Sequence, residues 1–119
     1  MTTGTVEIVI YHNPRCSKSR AALELLRERG VEPRVIEYLK TPPSREELRA
    51  LLDRLGVPAE ALVRKGEDAY KSHFAGKAMG EAQWIDAMVE HPVLIERPVV
   101  VRGNRATVGR PPEKVLDLL

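Results

Sequence analysis

The chain holds one cysteine, Cys16, among 119 residues. An internal disulfide is therefore excluded, as is a metal centre built on paired thiolates. A lone thiol fits a reducing compartment, so a cytoplasmic location is expected. Aromatic residues are only 4% of the chain, which leaves packing to Leu, Val, Ile and Ala. No apolar run approaches the ~20 residues that cross a bilayer. Met1-Thr2-Thr3-Gly4 lacks the basic and then apolar pattern of a secretory leader, so no membrane partner is expected. Nineteen basic residues against 17 acidic ones leave a charge of +2, which is no footprint for nucleic acid. A Gly-rich phosphate loop is missing too. His73 and His91 stand apart from any cysteine or carboxylate cluster at ligand spacing, so no metal is expected.

What is present suits one globular domain. Hydrophobic residues make up 43% and charges of mixed sign 30%. Val6–Ile10 reads as a short buried strand. A helix follows from about Ser17 to Arg29, with Ala21, Ala22, Leu25 and Leu26 on one face and Gly30 as its stop. Arg34–Tyr38 reads as a second strand, which makes a βαβ unit with parallel strands. Thr41-Pro42-Pro43 breaks the chain. Ser44-Arg45-Glu46-Glu47 then fits a capping box, and Leu48, Leu51, Leu52 and Leu55 form an amphipathic stripe. Helical pieces continue over Ala59–Arg64, through a polar stretch, and over Glu81–Glu90, where Trp84, Ile85 and Met88 form the buried side. Val99–Val101 is a strand, Gly103-Asn104 a turn, and Ala106–Val108 the return strand. Pro111 and Pro112 open a final helix that buries Val115, Leu116 and Leu119. The expected fold class is α/β, thioredoxin-like or glutaredoxin-like. It has a four-stranded mixed sheet and an inserted helical segment, about 42–92, within a single domain spanning 1–119.

Chemistry concentrates in Tyr11-His12-Asn13-Pro14-Arg15-Cys16-Ser17-Lys18-Ser19-Arg20. Cys16 sits where a strand turns into a helix, and a helix start favours an anion through its unpaired N–H groups and its dipole. The thiolate is the nucleophilic form. Thioredoxin-like redox proteins carry Cys-x-x-Cys here, whereas Ser19 takes the second place in this chain. Any redox turnover must then borrow an external thiol, most simply glutathione. His12, four residues earlier, either carries a proton that stabilises the thiolate or stays neutral and hydrogen-bonds the loop. Arg15, Lys18 and Arg20 add positive charge, and Asn13-Pro14 is a turn signal. A phosphatase-type thiol loop needs an arginine six residues after the cysteine, and Ala22 is there instead.

The loop resembles the active-site loop of the ArsC family of glutaredoxin-linked arsenate reductases. Tyr38-Leu39-Lys40-Thr41-Pro42-Pro43, Leu62-Val63-Arg64-Lys65, His91 to Val101 and Gly109-Arg110-Pro111-Pro112 match in the same order. The resemblance spans residues 8 to 116. Within the family, Cys-Ser-Lys-Ser and Gly-Arg-Pro-Pro most resemble the YfgD-like branch. Ser17 departs from the Gly that better-known arsenate reductases often carry after the nucleophile.

The resemblance implies an arsenate reductase with no bound cofactor, glutathione as co-substrate and glutaredoxin as partner. It implies Cys16 as nucleophile with His12 beside it, and Arg64, Arg97 and Arg110 as the oxyanion ligands. Asn13, Ser17, Ser19 and Arg20 support the loop. It also implies a cis bond at Arg97-Pro98. Two other readings share the fold: a glutathione-linked thiol reductase with another substrate, and an Spx-like redox-responsive regulator of transcription.

Overall fold

The computed structural model describes residues 7–119. They form two compact units. The chain up to Glu37 joins Arg97–Leu119 in the first, and Tyr38–Glu96 makes the second.

The first unit holds β1 (Ile8–His12), α1 (Ser17–Glu28), β2 (Arg34–Glu37), β3 (Val99–Arg102) and β4 (Arg105–Val108). The sheet order is β2-β1-β3-β4. β1 runs parallel to β2, with Ile10 opposite Val35, and antiparallel to β3, with Ile10 opposite Val100. β4 returns antiparallel to β3. The mixed thioredoxin-like sheet expected from the sequence is therefore the one formed. Alternation along β1 buries Ile8, Ile10 and His12. Ile8, Ile10 and Val100 share a core with Ala22 and Leu26 of α1 and with Val115 and Leu118.

Several bounds differ from expectation. β1 extends through Tyr11 and His12, because both continue the pairing with β2. Val6 lies outside the described residues. The turn into α1 is thus only Asn13–Cys16. Ala21 is exposed, and the buried positions of α1 are Ser19, Ala22 and Leu26, spaced i, i+3 and i+7. The last helix is a 3₁₀ helix, Pro112–Leu118, not an α-helix. Three residues per turn put Val115 and Leu118 on one face, which leaves Leu116 half-buried and Leu119 exposed.

The second unit holds α2 (Arg45–Leu55), α3 (Asp68–His73) and α4 (Glu81–Glu90), with 3₁₀ turns at Ala59–Leu62 and Pro92–Leu94. The α2 start is the capping box read from the sequence: the Glu47 N–H donates to Ser44 Oγ at 3.1 Å, and the Ser44 N–H donates to Glu47 Oε1 at 3.0 Å. Gly56 ends α2 at φ 69°, in the left-handed region that glycine reaches without strain. α4 packs on α2 and on both 3₁₀ turns. α3 lies inside the stretch read as merely polar and buries no residue completely. Rings hold it instead. Tyr70 stacks on Trp84 with centroids 6.1 Å apart, and His73 stacks on His91 at 5.5 Å. No helix among the described residues is long and apolar enough to cross a membrane.

Candidate active site

Cys16 is the N-cap residue of α1, in extended conformation and half-buried. Its side chain caps nothing. The sulfur stands at the end of a helix whose first N–H groups have no intrahelical acceptor. Its own backbone is fixed on both sides: the Cys16 N–H donates to the Asn13 carbonyl at 3.0 Å, and the Arg20 N–H donates to the Cys16 carbonyl at 3.0 Å.

Asn13 is the pivot of the turn. Its carbonyl takes the Cys16 N–H, its Oδ1 accepts from the Arg15 N–H at 3.0 Å, and its own N–H donates to Ser19 Oγ at 3.0 Å. Asn favours turns for this reason, because its side chain can act as a second backbone. Arg20 adds a strut, with Nη1 donating to the Pro14 carbonyl at 2.8 Å. Ser17 and Lys18 are exposed in the first turn of α1.

Ser19 is fully buried, and its hydroxyl lies 2.7 Å from His12 Nδ1. Of the two readings of His12, the structure carries the neutral one. Burial pushes its pKa below the ordinary 6.5, and Arg27 and Arg20 push the same way, while the Glu37 carboxylate opposes them. These surroundings favour the uncharged ring. With the imidazole neutral, the simplest assignment has the Ser19 hydroxyl donating to Nδ1 and the ring proton on Nε2. Ser19 thus does more than fill the second-cysteine position: it ties β1, the turn and α1 together. A surface groove lined by His12, Pro14, Arg20, Leu23 and Arg27 runs along α1 from this turn.

Arg97 and Arg110 belong to the same unit as Cys16. Arg97 precedes β3, and its Nε and Nη1 atoms are buried. Arg110 follows β4, and its Nη1 donates to the Arg97 carbonyl at 3.0 Å. Both arginines precede cis peptide bonds, Arg97-Pro98 and Arg110-Pro111. The first follows the resemblance, and the second was not expected. A 3₁₀ helix, Pro112–Leu118, follows Arg110 in place of the expected α-helix.

Arg64 belongs to the second unit. It sits beside the Val63–Ile95 bridge, where its N–H donates to the Leu94 carbonyl at 2.7 Å. Its guanidinium is paired twice, with Glu67 through Nη1 and with Glu96 through Nε at 3.2 Å. The two carboxylates were missed from sequence. Glu67 follows Arg64 by three residues across a turn that its N–H closes on the Arg64 carbonyl at 3.3 Å, and this nearness in sequence was the available signal.

A model of the ArsC family matches residues 11–118 of the chain. The chain belongs to the ArsC family. This ArsC-family chain is 50% identical over 117 residues to the protein YfgD of Escherichia coli K12, covering 97% of this chain and 98% of that one. It is 47% identical over 113 residues to an arsenate reductase of Escherichia coli, covering 94% of this chain and 80% of the relative. The solved structure of the arsenate reductase from Vibrio cholerae matches with a TM-score of 0.93 at 47% identity, over 98% of this chain and 100% of that one.

Proposed function

We propose that this chain reduces arsenate to arsenite, with Cys16 as nucleophile and with glutathione and glutaredoxin as electron donors. The observation that carries the reading is Cys16 at the head of α1, its backbone locked by Asn13 and Arg20, in a chain that shares 47% identity with an arsenate reductase.

The Cys16 thiolate attacks arsenic(V), a sulfur–arsenic bond forms, and an oxygen ligand leaves as water. Arg97 and Arg110 carry the oxyanion, since guanidinium forks match a tetrahedral oxyanion with paired N–H donors. Arsenic must then gain two electrons. Cys16 is the only thiol of the chain, so two external thiols supply them. Glutathione attacks the arsenic of the adduct and displaces a second oxygen as water. A glutaredoxin thiol then takes up the glutathione sulfur as a mixed disulfide, which leaves two electrons on arsenic, and water displaces arsenite from Cys16 and restores the thiol. The cytoplasm holds both thiols in reduced form, which fits a cytoplasmic enzyme. Asn13, Ser19 and His12 hold the turn that aims the sulfur. Arg64 is the third oxyanion ligand implied by the family, with part of its charge already met by Glu67 and Glu96.

The test is arsenate-dependent NADPH oxidation coupled through glutathione reductase, glutathione and glutaredoxin. We expect turnover in the parent and none above background in Cys16→Ser. An inactive parent whose Cys16 still alkylates would move the reading to another thiol substrate.

A further inference from the structure

Gly109 is buried between β4 and Arg110, and it is not among the glycines with positive φ. Space, not backbone freedom, is what demands glycine here. A Cβ at this position would lie 2.9 Å from Pro98 Cγ, 3.0 Å from Val115 Cγ1 and 3.5 Å from Ala22 Cβ. Carbon atoms pack at about 3.5–4.0 Å, so the first two contacts force something to move. The proline ring and the core valine are both confined.

Two hydrogen bonds cross the same narrow gap. The Gly109 N–H donates to the Pro98 carbonyl at 2.8 Å, and Arg110 Nη1 donates to the Arg97 carbonyl at 3.0 Å. Arg110 is the residue after Gly109, and Arg97 is the residue before Pro98. Any shift that relieves a contact between position 109 and Pro98 therefore displaces one arginine relative to the other.

We propose that Gly109 is a positioning residue for oxyanion binding: its missing side chain sets the separation of the Arg97 and Arg110 segments, and so of their two guanidinium groups. This rests on the oxyanion role given above to these arginines. A rigid pair of donors loses much of its advantage when its spacing is wrong, because binding geometry tolerates little displacement.

The test reads anion binding without turnover. Inorganic arsenate, with no glutathione present, is titrated against the rate at which iodoacetamide alkylates Cys16. Gly109→Ala is expected to need about tenfold more arsenate for half-protection than the parent. Its alkylation rate without arsenate, and its circular dichroism, stay at the parent's values. Gly109→Ala/Val115→Ala keeps only the Pro98 contact. It is expected to regain part of the lost protection while melting at a lower temperature than Gly109→Ala, since the valine is a core residue. Binding and stability then move in opposite directions, which a glycine needed for packing alone would not produce. Equal half-protection in Gly109→Ala and the parent would overturn the inference and leave the oxyanion reading standing. A parent that arsenate fails to protect would remove the oxyanion reading and this inference with it. If Gly109→Ala does not fold, the double variant is read against Val115→Ala. Weaker protection in the double variant supports the inference, and equal protection overturns it.

Discussion

Among the described residues, His12 and Ser19 are the two buried polar side chains of the first unit, and they bond to each other. Such a pair in a core costs little when bonded and about 1–3 kcal/mol when one partner is left alone. It also links stability to pH. The fold prefers neutral imidazole, so the folded-state pKa lies below the ordinary 6.5. The unfolded chain then binds more protons than the folded one between those two values. Stability from this site is complete above about pH 6.5 and is lost as the pH falls from there toward the folded-state value. His12→Asn keeps a hydrogen-bonding group opposite Ser19 but cannot titrate. Urea denaturation from pH 7 to pH 5 is expected to show a shallower loss of stability in that variant than in the parent. Parallel curves would mean that His12 is not the group responsible.

Elements with local instructions follow the sequence closely. α2 carries three such signals between Ser44 and Gly56: the Ser44–Glu47 box, the leucine stripe and Gly56 itself. Ser44→Ala is expected to cost about 1 kcal/mol, because the Oγ that accepts the Glu47 N–H is lost. Thermal melts that leave the variant within error of the parent would show that tertiary contacts of α2 carry its stability alone. α3 has no such instructions. It lacks an apolar period, and its partners are Trp84 and His91, remote in sequence, so periodicity alone could not mark it. The C-terminal segment was legible as a helix after its prolines. The choice between 3.6 and 3.0 residues per turn was not, because Val115, Leu116, Leu118 and Leu119 offer apolar residues to either. The turn at Asn13–Cys16 was legible in its residues but not in its wiring. Asn-Pro announces a turn, whereas the bond from Asn13 to Ser19 depends on where α1 comes to rest.

At the scale of the whole chain, the candidate residues divide between two units. Cys16, Arg97 and Arg110 belong to one, and Arg64 with its two carboxylates belongs to the other. No local signal connects residues this far apart in sequence, so only the family resemblance grouped them. Nor could it foresee that Glu67 and Glu96 claim Arg64. We expect Arg64→Ala to raise the KM for arsenate less than Arg97→Ala does, because a guanidinium shared by two carboxylates offers less net charge to an anion. Equal effects in steady-state kinetics would show that the pairing leaves Arg64 fully available. The first unit is also discontinuous: β1 and α1 come early, while β3 and β4 follow Glu96. A ribosome adds about 5–20 residues per second, so roughly 60 residues of the second unit delay β3 by about 3–12 seconds. For that interval the nascent chain presents its thiol with neither the neighbouring central strand nor the late arginines in place. The thiol of the newborn polypeptide thus meets its surroundings on a half-built sheet before it does so in the finished unit.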